Sequence, residues 1–73
     1  MIVPGDMVEL EPHYDQAWTT KLPQHLIGEN NPTMFAIMRR DVVLVVSVCN
    51  SMAFVLSKER LGWACLVHLA AIR

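Results

Sequence analysis

Three histidines and two cysteines are the residues of this chain best suited to hold a metal ion. They are His13, His25, Cys49, Cys65 and His68. Their spacing contains no CxxC pair and no HxxxH pair, the arrangements that bring ligands together along a turn or a helix. We therefore predict no metal site and no other cofactor. The histidines are expected to be solvated or to lie at the edge of the core.

Nucleophilic catalysis would need a Cys or Ser side chain beside a histidine that a third group orients. Cys65 and His68 are three residues apart, but a strand followed by a tight turn gives their side chains no reason to converge. A carboxylate pair made of Asp15 with Glu9 or Glu11 is equally unsupported. We expect that the protein is not an enzyme and has no small-molecule substrate, since a small barrel seldom offers a substrate-sized pocket.

Aromatic and basic residues are the better candidates for a binding role. Tyr14 and Trp18 occupy a polar stretch, residues 12–32, and a tryptophan beside a tyrosine is typical of the anchors of protein interfaces. The alternative is that both fold back over the barrel mouth as a lid. Arg39 and Arg40 form either a solvated turn or a partner contact. Our predicted protein-binding residues are Tyr14, Trp18, Arg39 and Arg40.

Length and composition favour one domain, residues 1–73, that associates with other protein. The hydrophobic fraction is 53%, somewhat above the roughly 45–50% of globular chains, and much of the excess lies in residues 34–72. Part of that apolar surface should stay exposed in an isolated monomer, which indicates a protein partner or a homo-oligomer. The net charge of −1 provides no basic face, so nucleic acid is an unlikely partner, and a weak nucleic-acid binder is a lesser alternative.

The expected location is the cytosol, or an assembly that forms from a cytosol. The first residues have neither a basic region nor an apolar stretch of signal length, and both cysteines are predicted to be reduced core thiols. The apolar run of residues 42–56 is too short for a membrane helix and is interrupted by Ser47, Asn50 and Ser51. We predict no membrane association.

Alternating apolar residues predict strands over most of the chain. A turn at residues 4–6 leads into a strand over 7–11, and a long loop over 12–32 follows, in which the pattern of residues 22–27 suggests one helical turn. Further strands are predicted at 33–38, 42–48, 52–57, 61–65 and 70–73, with a 3₁₀ turn at 66–69. The strand at 42–48 is apolar on both faces and is predicted to be the most central. Trp63 is assigned to the core, with a position on the surface as the alternative.

This order of elements resembles that of the SH3-like small β-barrels. The resemblance rests on the opening strand at residues 4–8, the long loop and apolar hairpin that follow it, and Gly62-Trp63 with Val67-His68-Leu69 near the end. It extends to the stand-alone barrels of this class that bacteriophages encode. The implied fold is an all-β, SH3-like barrel of five to six strands, with a long first loop and a short 3₁₀ turn before the last strand.

The predicted function is non-enzymatic protein binding. The resemblance implies a small phage structural or accessory component that assembles with protein partners, located in the cytoplasm of a host cell or in a virion assembled from it. The alternative is a small regulator that docks on a host enzyme or nucleic-acid machine and inhibits it.

Overall fold

The computed structural model describes residues 1–72 and contains seven strands and one 3₁₀ helix. The strands are β1 (Met7–Leu10), β2 (Gln16–Thr20), β3 (Thr33–Met38), β4 (Val43–Cys49), β5 (Met52–Ser57), β6 (Arg60–Cys65) and β7 (Leu69–Ala71), and the 3₁₀ helix η1 spans Leu66–His68. The all-β class and the 3₁₀ turn before the last strand are confirmed. Arg73, which we placed in the final strand, lies outside the described residues.

The seven strands form one antiparallel sheet that curls into a half-barrel. Their order is β3-β2-β6-β5-β4-β1-β7, so β3 and β7 are the two edges. The predicted final strand pairs with the first, since β7 lies against β1 with Val8 opposite Ala71 and Leu10 opposite Leu69. The prediction that residues 42–48 form the most central strand is wrong. The middle position belongs to β5, because the additional strand β2 lies on the far side of β5 from β4 and leaves three strands on each side of β5.

The concave face of the sheet carries the core. Side chains alternate between the two faces of a strand, so every second residue points inward. The buried cluster consists of Val8, Leu10, Ala17, Phe35, Ile37, Val43, Val45, Ala53, Val55, Ala64 and Leu69. These residues come from all seven strands, and burial of this shared face is what holds a short chain in one fold.

The turns use the backbone conformations that their residues favour. Gly5 has a φ of 95° in the turn before β1, and Asn50 has a φ of 54° in the β4–β5 hairpin, as the sequence predicted. The tip between β5 and β6 places Lys58 and Glu59 at φ values of 51° and 67°. Two successive positive φ values match the right-handed twist of the flanking strands, which keeps this tight hairpin in register.

The predicted long first loop is wrong, because strand β2 lies inside it. Gln16–Thr20 pairs with β3 on one side and with β6 on the other, which raises the strand count to seven, above the predicted five to six. The flanking prolines and asparagines concealed the alternation of Ala17 and Thr19, which face inward. Thr19 is buried, and its hydroxyl bonds the backbone of Phe35. Because this polar group is hydrogen-bonded, its burial in the core carries little penalty.

The segment after β2, residues 21–31, is irregular and contains no helical turn. The buried side chain of Asn31 organises it by accepting a hydrogen bond from Leu22 N at 2.7 Å and donating to the carbonyls of Gln24 and Leu26 at 3.2 and 3.0 Å. An asparagine amide can satisfy several backbone groups at once. These bonds replace the helical hydrogen bonds that the sequence pattern suggested for residues 22–27.

No helix in the described part of the chain is both long enough and apolar enough to cross a membrane. The apolar run of residues 42–56 folds instead as the β4–β5 hairpin.

Candidate functional site

Large apolar side chains cover the convex face of the sheet, which we call the outer face. The strand registers align Met7 with Leu44, Leu44 with Leu56, and Leu56 with Leu61 across four neighbouring strands. Of these four side chains, Leu44 is half-buried and the other three are exposed. A continuous row of uncharged side chains on the solvent side of a sheet departs from the usual polar alternation of antiparallel strands.

A second row lies beside the first and contains two aromatic rings. Phe54 pairs with Trp63, and their ring centroids are 4.9 Å apart at an interplanar angle of 31°. Both rings are half-buried on the outer face. Trp63 therefore packs outside the core to which we had assigned it, since Gly62 and Ala64 are the β6 residues that point inward. A β-bulge between Val45 and Ser47 adds the exposed Val46 to the same surface.

Trp18 extends the outer face onto β2. It pairs with Ala36 of β3, and 52% of it is exposed. Thr20 of β2 pairs with Trp63 of the antiparallel strand β6. Because side chains on one face of a strand recur every two residues, Trp18 lies across from Cys65. We predicted Trp18 as a loop residue, and the structure instead holds it on a strand with neighbours on both sides. A rigid strand presents an exposed ring at a smaller entropic cost of binding than a loop does.

Tyr14 lies apart from Trp18 and has a different environment. It is partly buried against the core cluster, and its ring meets that of His68 edge-on, with centroids 4.6 Å apart. The two aromatic residues that we had grouped therefore sit on different surfaces. Tyr14 covers one end of the sheet near η1, while Trp18 stands on the outer face.

The two arginines lie in the turn between β3 and β4. Arg39 bonds Asp15 Oδ1 at 2.6 Å through Nη1 and the carbonyl of Pro12 at 2.9 Å through Nη2. Arg40 is exposed in the same turn. Both partners of the ion pair are largely exposed, so its contribution to stability is small, about 0–1 kcal/mol. Its main effect is to tie this turn to the segment before β2.

A cysteine, a histidine and a serine from three distant parts of the chain meet above the end of β6. His25 Nδ1 lies 3.2 Å from Cys65 Sγ, and His25 Nε2 lies 2.5 Å from Ser51 Oγ. In a neutral imidazole one of these nitrogens donates and the other accepts. The contacts attach the irregular segment 21–31 to the outer face. The same segment lies over Met52, an outer-face residue that is only 3% exposed.

A cavity of about 220 Å³ opens beside this cluster. Its lining includes Trp18, His25, Met52, Cys65 and His68. The sequence did not indicate this site, because His25 and Cys65 are forty residues apart. From the sequence we considered Cys65 together with His68, whereas the histidine that lies beside Cys65 in the structure is His25.

The environment of Cys65 does not resemble that of an activated nucleophile. Burial raises the pKa of the Cys65 thiol above its ordinary value, because the charged thiolate is poorly solvated there. Reactive cysteines have a lowered pKa, which a neighbouring cation or a helix N-terminus provides. The geometry of Cys65, His25 and Ser51 therefore supports an attachment between segments better than it supports catalysis.

The raised pKa leads to a testable difference between the two thiols. We expect iodoacetamide at neutral pH to alkylate the exposed Cys49 first, and Cys65 to react substantially only as the pH rises. The measurement is a pH series of alkylation rates on the single-cysteine variants Cys49→Ser and Cys65→Ser. Denaturant should abolish the difference. Equal rates for the two thiols in the folded protein would contradict the assignment.

The two cysteines are free and cannot bridge each other in this fold. Cys49 pairs with Met52, and Met52 pairs with Cys65, so the thiols are two strands apart. Two strand spacings amount to about 9.6 Å, whereas a disulfide needs Cα atoms within about 7 Å. The description of both as core thiols is wrong, because Cys49 is exposed at the hairpin end and Cys65 is half-buried on the outer face.

No protein-family model, curated protein or solved structure matches this chain. The resemblance to the SH3-like phage barrels therefore stays a prediction from the sequence. The argument about function depends on the residues of the outer face themselves.

Proposed function

We propose that this protein is a binding module that assembles with other protein through its outer face. One observation carries the proposal: an uncharged surface formed by the Met7–Leu44–Leu56–Leu61 row, the Phe54–Trp63 pair and Trp18. Apolar patches of this kind on a small soluble chain mark sites of association. Removal of one such leucine side chain from water contributes about 1.5–3 kcal/mol.

The distribution of polar residues around this surface supports the same proposal. Glu9 follows Met7 at the next outward position of β1, and Gln16 holds the corresponding place beside Trp18 on β2. An apolar centre with a polar and charged rim is the usual composition of a protein interface, and Trp is enriched at its energetic centre.

The more specific proposal is a small phage structural or accessory component, and its support is the resemblance of the sequence to phage-encoded barrels. Mass spectrometry of purified particles tests it, and absence of the chain from the particles would reject it. The alternative proposal is a regulator of a host enzyme or nucleic-acid machine. Such a regulator should copurify with one host protein at a fixed stoichiometry.

Trp18→Ala should weaken partner binding by about 2 kcal/mol, roughly thirtyfold, while thermal stability changes little. The physical reason is that an exposed ring on a strand contributes to an interface and not to the core. The measurement is capture of the partner from its native extract, followed by titration of the purified complex. Val67→Ala is the matched control, because Val67 is also exposed but belongs to η1.

Two outcomes would contradict this assignment. If Trp18→Ala and Val67→Ala capture equal amounts of partner, Trp18 does not contribute to the interface. If Trp18→Ala unfolds the protein, the ring is part of the structure that holds segment 21–31. Leu61→Asp provides a second variant, since it places a charge in the apolar row and should abolish capture.

A further inference from the structure

The cluster of Cys65, His25 and Ser51 contains two side chains that bind soft metal ions. A cysteine thiolate and a histidine imidazole are both common metal ligands, and His25 Nδ1 lies 3.2 Å from Cys65 Sγ. The sequence predicted no metal site, but that prediction considered only spacing along the chain. The two residues are forty positions apart and meet only in the fold. What the cluster can bind therefore depends on its geometry in three dimensions.

The distance between the two ligand atoms is close to the distance that a bridging metal needs. Bonds of about 2.0 Å to nitrogen and about 2.3 Å to sulfur, at angles of roughly 110–120°, separate the two atoms by about 3.5–3.7 Å. The observed 3.2 Å must therefore increase by roughly 0.3–0.5 Å. His25 is exposed, so a small rotation of its side chain can supply this increase.

Ser51 holds the imidazole in the orientation that a metal ligand requires. His25 Nε2 lies 2.5 Å from Ser51 Oγ. In the tautomer with its proton on Nε2, His25 donates this hydrogen bond, and the lone pair of Nδ1 faces Cys65. Metal-binding histidines almost always donate their other ring N–H to a second partner, which fixes the ring and the tautomer. The three residues thus have the arrangement of a ligand pair with an orienting neighbour.

Met52 offers a third ligand, a thioether sulfur. It lies directly opposite Cys65 in the β5–β6 register, and both residues line the cavity of about 220 Å³. Directly opposed residues have Cβ atoms about 4.5–5.5 Å apart, which is within reach of a long thioether side chain. Met52 is almost fully buried, so this side of the cluster is shielded from water.

The ligand set favours Cu(I) over Zn(II). Structural zinc takes four ligands in a tetrahedron, from cysteine, histidine or carboxylate side chains. In residues 1–72 no three side chains of His, Cys, Asp or Glu form a group that could hold a metal ion. Thiolate and thioether sulfurs are soft ligands that suit Cu(I), an ion that needs fewer ligands than zinc does. A thiolate, an imidazole and a thioether therefore match copper better than zinc.

We propose that Cys65, His25 and Met52 bind one Cu(I) ion at this cavity. The ion takes the place of the thiol proton between Cys65 Sγ and His25 Nδ1, and that proton passes to water. No electron is transferred, because the ion enters as Cu(I). The site is complete within one chain and needs no partner, so it holds or fails independently of the proposed assembly through the outer face.

The test is anaerobic titration of the full chain with Cu(I), in competition with the chromophoric chelator bicinchoninate. Cys49→Ser is the reference protein, because it removes the second free thiol. We expect one Cu(I) per chain. In this background, Cys65→Ser and His25→Ala should lower the affinity more than about a hundredfold, and Ser51→Ala about ten- to a hundredfold. Met52→Leu keeps the core volume and should lower the affinity at least about tenfold.

His13→Ala and Met34→Leu are the matched controls, because each changes an exposed side chain of the same type elsewhere in the fold. Both should bind Cu(I) as the reference protein does. Absence of Cu(I) binding by the reference protein would overturn the proposal. Binding that both His25→Ala and Met52→Leu leave unchanged would also overturn it, since the ion would then occupy another place. Zn(II) binding as tight as Cu(I) binding would overturn the choice of metal.

Thiol protection provides a second measurement that uses the natural sequence. One equivalent of Cu(I) should slow the alkylation of Cys65 by iodoacetamide, while Cys49 still reacts, because only the first thiol has a histidine beside it. Protection of Cys49 with continued reaction of Cys65 would contradict the assignment.

Discussion

Gly62→Ala is expected to lower the free energy of unfolding by about 3 kcal/mol, toward the upper end of the range for an overpacked core. A Cβ at this position would lie 2.6 Å from Thr19 Oγ1, 2.7 Å from Thr19 Cβ and 3.2 Å from Phe35 Cε1. All three distances are shorter than ordinary van der Waals contact. For a domain of this size the melting temperature should fall by roughly 12–24 °C.

Thr19 cannot move aside to relieve this contact. Its side chain is fully buried, and its hydroxyl both donates to the carbonyl of Phe35 at 2.8 Å and accepts from the N–H of Phe35 at 3.2 Å. Any shift that accommodates a methyl group at position 62 breaks these bonds or moves β3 away from β2. The cost is therefore a loss of packing and of hydrogen bonding together.

Thermal and urea unfolding, followed by tryptophan fluorescence, measure this effect. The matched control is Gly28→Ala, because a Cβ at Gly28 meets nothing within 4 Å. The control should change stability by less than about 0.5 kcal/mol. The double variant Gly62→Ala with Thr19→Ala should be less destabilised than the sum of the two single changes, since the second removes Thr19 Oγ1, the nearest obstructing atom, while the Cβ at position 19 remains. A loss below 1 kcal/mol or so for Gly62→Ala would show that the strands separate easily.

Asn31→Ala is expected to cost about 2–3 kcal/mol, because it removes three hydrogen bonds from a side chain that is almost fully buried. The N–H of Leu22 and the carbonyls of Gln24 and Leu26 lose their partner. Segment 21–31 should then detach from the outer face, taking His25 away from Cys65 and Ser51. Thiol alkylation of Cys65 should become faster as a result.

The neighbouring Asn30 provides the control, since it has the same side chain but is exposed. Asn30→Ala should leave both stability and Cys65 alkylation close to those of the natural sequence. The measurements are urea unfolding and the alkylation rate of Cys65 in a Cys49→Ser background. Equal behaviour of the two variants would mean that Asn31 does not organise the segment.

Local signals explain why most of the strands could be predicted. Residues 7–10 show an apolar alternation and residues 33–38, 43–49 and 52–57 are largely apolar runs, while Asn50 and the charged tip at 58–59 mark the hairpins clearly. The 3₁₀ turn and the return of the last strand to β1 were also predicted. Strand β2 was missed because two of its inward positions are occupied by alanine and threonine, which give a weak hydrophobic period between proline-rich flanks.

The candidate binding surface was predictable in composition but not in location. The excess of apolar residues indicated an exposed patch, and Trp18 was identified as part of a binding surface, which no observation yet tests. The residue predicted to lie with Trp18 was wrong, however, since Tyr14 sits on a different surface. Strands 43–49 and 52–57 are apolar at every position except Ser47 and Ser57, so the pattern cannot say whether the second face is buried or exposed.

The amino-acid sequence by itself determined the all-β class, the turns and the abundance of apolar surface, because each of these depends on residues close together in the chain. Only the tertiary structure decided which apolar residues form the core and which form the outer face, since that depends on the curl and strand order of the sheet. It also brought His25 to Cys65 across forty residues and left β3 at an open edge. Those contacts depend on strand register and on long-range chain closure, which short-range periodicity does not contain.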